Sequence, residues 1–228
     1  MLITHTMTRE EILGRLESLP FIEIFEVTEQ YAVLYDNHTE TDLTVRFAES
    51  FTKADLKNLI HIASELPEEL RFDVDALTDY LWEVMDHNAF LTLSGLWYVN
   101  TEADYRTVAE FYGNQDAAFL PEHPFKGVMW FARQVCIVDA RQIEQFLARK
   151  HPHHRENPNF DSVGYRRRDL IVTTLHELRH IMLDTNPALP LEEYPPELGT
   201  ERMVERYAQE ICEDTQIAHI FQRKDGTS

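Results

Sequence analysis

The sequence predicts an α+β protein, and three observations carry that expectation. Hydrophobic residues make up 43% and charged residues 27% of the 228 positions, a balance that suits a folded globular chain. Short runs rich in β-branched and aromatic residues gather early, as in "FIEIFEV", "YAVLYD" and "TDLTVRF". Two long stretches with helical spacing close the chain.

In chain order, Thr8 and Glu11 have the spacing of a capping box. Ile12, Leu13, Leu16 and Leu19 then recur on one face until Pro20, so a helix is expected at about 8–19. The three short runs follow, with Asp36, Asn37 and His38 supplying turn chemistry between the last two, and read as an antiparallel meander. Helical patterns begin after Thr52 and run from about Val74 to Asp86, separated by a break at Pro67. From Phe90 the order is strand ("FLTLSGLWYV"), helix ("EADYRTVAEFYG"), strand ("GVMWFARQVCIVD") and helix ("ARQIEQFLARK"). A polar loop over 151–168 is expected to lead into helices at about 169–184 and 197–221, the first capped by Asp169. The chain divides softly into an accessory α+β portion, 1–90, and a second portion, 91–228, with no Gly/Ser/Pro linker between them.

Charge narrows the partners. Forty acidic against 21 basic residues give a formal net charge of −19, which repels a phosphate backbone and favours a basic partner or segment. Direct nucleic-acid binding is not expected. The one dense basic run, Arg166, Arg167 and Arg168, reads as solvated loop. No stretch has the roughly 18 continuous apolar residues of a membrane span, and the opening residues lack a signal-peptide pattern. Cys136 and Cys212 sit apart in apolar surroundings with no Cys-x-x-Cys pair, as buried free thiols of a cytoplasmic protein do. Trp82, Trp97 and Trp130 read as core, and His151, His153 and His154 as exposed loop histidines.

The stretch "TLHELRHIML" carries the chemistry. His176 and His180 stand four apart on a helix, one above the other, so both imidazoles can reach one ion. Glu177 lies about 100 degrees round the helix from His176 and can approach a metal-associated water without ligating the ion. A catalytic zinc needs a third protein ligand. Downstream, "GTERMVERYAQEICED" places Glu201, Glu205, Ala208 and Cys212 on one face, broadened by Val204 and Ile211. Carboxylates in such a stripe are costly to bury unpaired. A metal for one, and a ligand histidine for the other, would satisfy both.

"HELRH" followed after 20 intervening residues by "ERMVERYA" resembles the gluzincin metallopeptidases, most closely the compact ImmA/IrrE-type and minigluzincin proteins. "RQVCIVDARQIEQF" is similar to the strand and helix that precede the active-site helix in that group. The resemblance covers about residues 125–215 and leaves the first 90 unexplained. It implies a zincin-like fold for 91–228, with Zn2+ held by His176, His180 and Glu201, Glu177 as general base, and Glu205 orienting a ligand histidine. The implied activity is hydrolysis of a protein or peptide substrate. Two positions depart from the pattern: Arg179 is charged where an uncharged residue is usual, and Glu205 replaces Asp or Asn. An oxyanion partner is implied too, for which Tyr165, Tyr194, Tyr207 and His219 stay open. The strand in "GVMWFARQVCIVD" is expected to offer a sheet edge to an extended substrate. The alternative from another class is a non-catalytic metal-binding regulator that grips a protein partner.

Overall fold

In the computed structural model the described residues are 7–38, 40–112, 125–130, 134–185, 200–212 and 214–221. Helix α1 (Arg9–Glu17) opens with the capping box expected at Thr8 and Glu11 and buries Ile12 and Leu16. Strands β1 (Ile22–Val27), β2 (Tyr31–Asp36) and β3 (Thr41–Arg46) form an antiparallel sheet in the order β1-β2-β3. Their period-2 pattern turns Ala32, Leu34 and Val45 inward. Next come α2 (Lys53–Asn58), β4 (Ile60–Ile62), a 3-10 turn at Glu68–Leu70 behind Pro67, α3 (Val74–Val84) and α4 (Asn88–Leu91).

A second sheet holds the site. It combines β4, β5 (Gly95–Val99), β6 (Gly127–Trp130) and β7 (Val135–Asp139) in the order β4-β5-β7-β6. The first three are parallel, whereas β6 runs antiparallel to β7 and forms the edge among the described residues. Helices α5 (Glu102–Phe111) and α6 (Ala140–Lys150) each follow a strand, α5 with a Thr101/Asp104 capping box and α6 capped by Asp139. The last helices are α7 (Ser162–Thr185), α8 (Thr200–Ile211) and α9 (Asp214–Ile220). The architecture is thus mixed α+β, a small antiparallel sheet and a mixed sheet with helices.

One apolar cluster draws Ile12 and Leu34 from the first 90 residues together with Leu96, Leu175 and Ala208 from the rest, and β4 pairs with β5 across position 90. Fully burying each of these Leu and Ile side chains stabilises the fold by about 1.5–3 kcal/mol. No helix among the described residues is long and apolar enough to cross a membrane. Both cysteines are buried free thiols.

Several elements differ from expectation. Of "FLTLSGLWYV" only Gly95–Val99 is strand; Phe90 and Leu91 lie in α4, with Phe90 stacked near Phe51 and Trp82. A short apolar run has no period that separates a buried strand from a buried helix, and tertiary packing decided. "GVMWFARQVCIVD" is two paired strands, from Gly127 opposite Val138 to Trp130 opposite Val135, with 131–133 outside the described residues. Gln134 enters β7 at φ 52°, held as its carbonyl accepts Ser94 N–H at 2.8 Å and its side chain accepts Thr92 Oγ1 at 3.1 Å.

Helix α7 begins seven residues earlier than expected, so Asp169 is inside it and caps nothing. Asp161 instead accepts Gly164 N–H at 2.8 Å at the true start. The basic run is likewise helical and half-buried. Arg166 lies between Glu69 (2.9 Å) and Glu144 (2.8 Å), while Arg167 donates to the Glu69 carbonyl at 2.7 Å. Pairing with distant acids, which sequence spacing does not show, turned a solvated loop into helix. The stretch 197–221 is two helices, with 197–199 and 213 outside the described residues.

Candidate metal centre and cleft

Helix α7 is buried on nearly every side, with Leu170, Ile171, Leu175, Leu178 and Ile181 fully enclosed. Its polar stripe, Asp169, Thr173, His176, Glu177 and His180, recurs at helical spacing and faces β6 and α8. The i, i+4 spacing therefore delivers both histidines to one place. His176 Nε2 and His180 Nε2 are 3.1 Å apart. Glu201, reaching over from α8, sets Oε2 at 3.4 Å from His176 Nε2 and Oε1 at 3.4 Å from His180 Nε2.

Two imidazole nitrogens this close repel if both present lone pairs, so the arrangement suits a proton or a cation between them. Ligand bonds of about 2.0–2.1 Å in a tetrahedron imply edges of about 3.3–3.4 Å; the Nε2 pair at 3.1 Å is a little closer, Glu201 turns a different oxygen to each histidine, and one ligand atom from each of the three residues lies within 4.8 Å of the others. Two imidazoles and a carboxylate gathered this closely are a donor set that suits zinc. Behind the histidines, Glu205 Oε2 lies 3.3 Å from His176 Nδ1, a buried atom with no fully aligned hydrogen bond. Gln209 Nε2 donates to Glu205 Oε1 at 2.6 Å and steadies it. A carboxylate in this position favours a proton on Nδ1, the tautomer that leaves Nε2 to ligate.

Electrostatics follow from burial and from crowded carboxylates. Burial disfavours charge on His176, but Glu205, Glu177 and Glu201 outweigh it and raise its pKa. His180 is lowered, first by burial and then by His176. Glu205 is held down at about 2, chiefly by its bond to His176. Glu177 is 6% exposed and is pushed up to about 7 by burial, with Glu201 and Glu205 adding to the shift.

The structure gathers His176, Glu177, His180, Glu201 and Glu205 around one open cleft of about 520 Å³. Glu201 stands at the exposed rim, so the cost of an unpaired buried carboxylate bears on half-buried Glu205 and not on it. The oxyanion candidates fare differently. Tyr207 hydroxyl donates to Met85 Sδ at 3.8 Å, Tyr165 packs on His151 and Phe160, and His219 is exposed on α9; none of the three lines the cleft. Tyr194 lies outside the described residues.

Sequence reading missed the opposite wall, made by Phe125, Lys126, Gly127 and Phe146 together with Thr173 of α7. A Cβ at Gly127 would lie 2.5 Å from Glu177 Oε1 and 2.7 Å from Thr173 Cγ2, so glycine is what lets β6 come this close. The one available signal was the position of Lys126 and Gly127 at the head of the expected edge strand.

The loop histidines gather no ligand set among the described residues. His154 Nδ1 bonds the His151 carbonyl at 2.7 Å, and His153 pairs at 3.3 Å with exposed Glu156. Compared with family models, curated proteins and solved structures, the chain matches none of them.

Proposed function

We propose that this protein is a zinc-dependent metallopeptidase in which His176, His180 and Glu201 hold the metal and Glu177 is the general base. The observation that carries the reading is the placement of Glu177. Its carboxyl is buried against β6, beside the His176–His180–Glu201 triangle, in an open cleft, where it can take a proton from a water held by a metal there.

Bound zinc would supply a Lewis acid that polarises a carbonyl and acidifies water. Glu177 then takes the proton of the attacking water as it adds to the peptide carbonyl, and passes it to the leaving amine. Glu205 keeps the His176 ring in place through Nδ1. Strand β6, at the sheet edge and beside the cleft, supplies backbone groups that can pair with an extended substrate.

The motif resemblance to gluzincins supports the same reading, as does a mixed sheet whose antiparallel edge strand adjoins the histidine helix. On this proposal, residues 91–228 are the zincin-like unit, and the buried free thiols suit a cytoplasmic setting.

Elemental analysis after purification without chelator, together with peptide-library hydrolysis by wild type and E177Q, tests the reading. Near-stoichiometric zinc in both proteins with cleavage by wild type alone is expected. Zinc without cleavage in either hands the site to the metal-binding regulator, and absence of metal removes both.

A further inference from the structure

We infer that the Lys126 end of the cleft is a carboxylate-recognising subsite, so that substrates carry a negative charge within about two residues of the bond cut. The inference rests on the peptidase reading for the word substrate, but on different residues. The charge belongs to an Asp or Glu side chain or to a chain terminus, which share one chemistry.

Among the described residues the cleft holds three carboxylates, Glu177, Glu201 and Glu205, and one ammonium, that of Lys126 in the bend just before β6, near enough to Glu177 and Glu205 to favour their charge. Lys126 Nζ contacts Asp169 Oδ1 at 2.5 Å, and both side chains are mostly buried. An ammonium has three donors. Asp169 takes one and fixes the group in position, which leaves two.

Thr173, one turn beyond Asp169 on α7 and 4% exposed, lines the same cleft, with its Cγ2 toward Gly127 and its Oγ1 enclosed. The Phe146 ring lies between cations, with Lys126 Nζ 5.4 Å and Arg149 Cζ 4.3 Å from its centre. A carboxylate can therefore accept from Lys126 while its aliphatic stem lies on Phe146.

Competing groups fit worse. A basic side chain would meet the ammonium of Lys126, while Asp169 Oδ1 is held by Lys126 and its partnerless Oδ2 is enclosed. A neutral one would cover the ammonium without pairing its remaining donors, and an unpaired buried donor costs more than a matched one returns. The selection is local and opposes the chain's overall charge of −19, which draws basic partners at long range. Spacing gives the reach: Lys126 adjoins Gly127, which backs onto Glu177, and an extended peptide advances about 3.3 Å per residue.

The test uses the full zinc-loaded chain, as wild type and E177Q. The probes are N-acetylated octapeptide pools with one position fixed as Glu, Gln or Lys, each made with a free and an amidated C-terminus. Binding to E177Q by fluorescence competition and cleavage by wild type by mass spectrometry are read separately. Glu pools should bind about tenfold tighter than Gln pools, with Lys pools weakest, and the acid and amide arms tell side chain from terminus.

The double variant K126Q/D169N removes both charges together, so no buried carboxylate is stranded, and should erase the preference; K126R should keep it. Equal binding of all pools, free and amidated alike, overturns the subsite, as does a preference that survives in K126Q/D169N. Cleavage without charge preference overturns the subsite and leaves the peptidase reading intact. Charge-selective binding without cleavage does the reverse.

Discussion

The guanidinium carbon of Arg179 lies 4.2 Å from the centre of the Tyr207 ring, which ties α7 to α8. Arg179 is the charged residue in the middle of the histidine motif, and it is 8% exposed. A buried guanidinium needs compensation, and here the ring face and Met182 Sδ, 3.8 Å from Nη1, provide it. Tyr207 follows Glu201 by six residues and Glu205 by two on the same helix. Tyr207→Ala should destabilise the metal-free protein by about 2–3 kcal/mol and weaken zinc binding as α8 loosens. Urea unfolding and zinc titration check both; wild-type zinc affinity in this variant would show that the stack does not position Glu201.

Glu201 sits at the exposed rim, so its removal separates ligation from folding. Glu201→Ala should leave metal-free stability within about 0.5 kcal/mol of wild type and lose the stabilisation that zinc confers on the folded state. Thermal unfolding with and without chelator reads this directly. An undiminished zinc-dependent shift would reject Glu201 as a ligand.

Glu177→Gln keeps shape and removes the base. Hydrolysis should fall by at least about 10²–10⁴-fold, while zinc stoichiometry stays near that of wild type. Steady-state assays and elemental analysis on the same preparation suffice. Retained activity would assign the proton transfer to another group.

Gly127 has no room for a methyl group, since its Cβ would lie 2.5 Å from Glu177 Oε1. Gly127→Ala should displace either β6 or the carboxyl, cutting activity by about 10²-fold and stability by about 1–3 kcal/mol. Zinc content should be unaffected. If the kinetics match those of wild type, Glu177 tolerates a shift that the proposed proton transfer does not allow.

Asp104 ties the chain just after β4 to the chain just after β5, accepting from Ser64 Oγ at 2.5 Å, Thr101 N–H at 2.8 Å and Asn100 N–H at 3.1 Å. Burial opposes its charge, but these hydrogen bonds outweigh burial and lower its pKa. A depressed carboxyl stabilises the fold above its unfolded value of about 3.9 and loses that contribution as pH falls through the lower folded value. Asp104→Asn should therefore cost about 1 kcal/mol at pH 7, with the difference from wild type shrinking in acid. A deficit that persists undiminished at pH 2 would place its origin outside this carboxylate.

Local features were legible in the sequence because their causes are local. Thr8 and Glu11 sit three apart and cap a helix wherever they lie, and alternating burial along "YAVLYD" follows from strand pleating. Likewise, His176 and His180 face one point because a helix turns 100 degrees per residue. Asp169 shows the limit of such reading. It has the chemistry of a cap, yet it lies seven residues inside α7 and pairs with Lys126, 43 positions away.

By itself the sequence determined the α+β class, the early meander, the helix that carries His176, Glu177 and His180, and the spacing that makes Glu201 and Glu205 available from one face of the next helix. Only the tertiary structure decided that α8 crosses α7 closely enough to bring Glu201 to both histidines, that Gly127 and Lys126 form the opposite wall, and that Arg179 has an aromatic partner. Periodicity records which face of an element is apolar, whereas contacts between elements depend on how those faces pack, which no local pattern encodes.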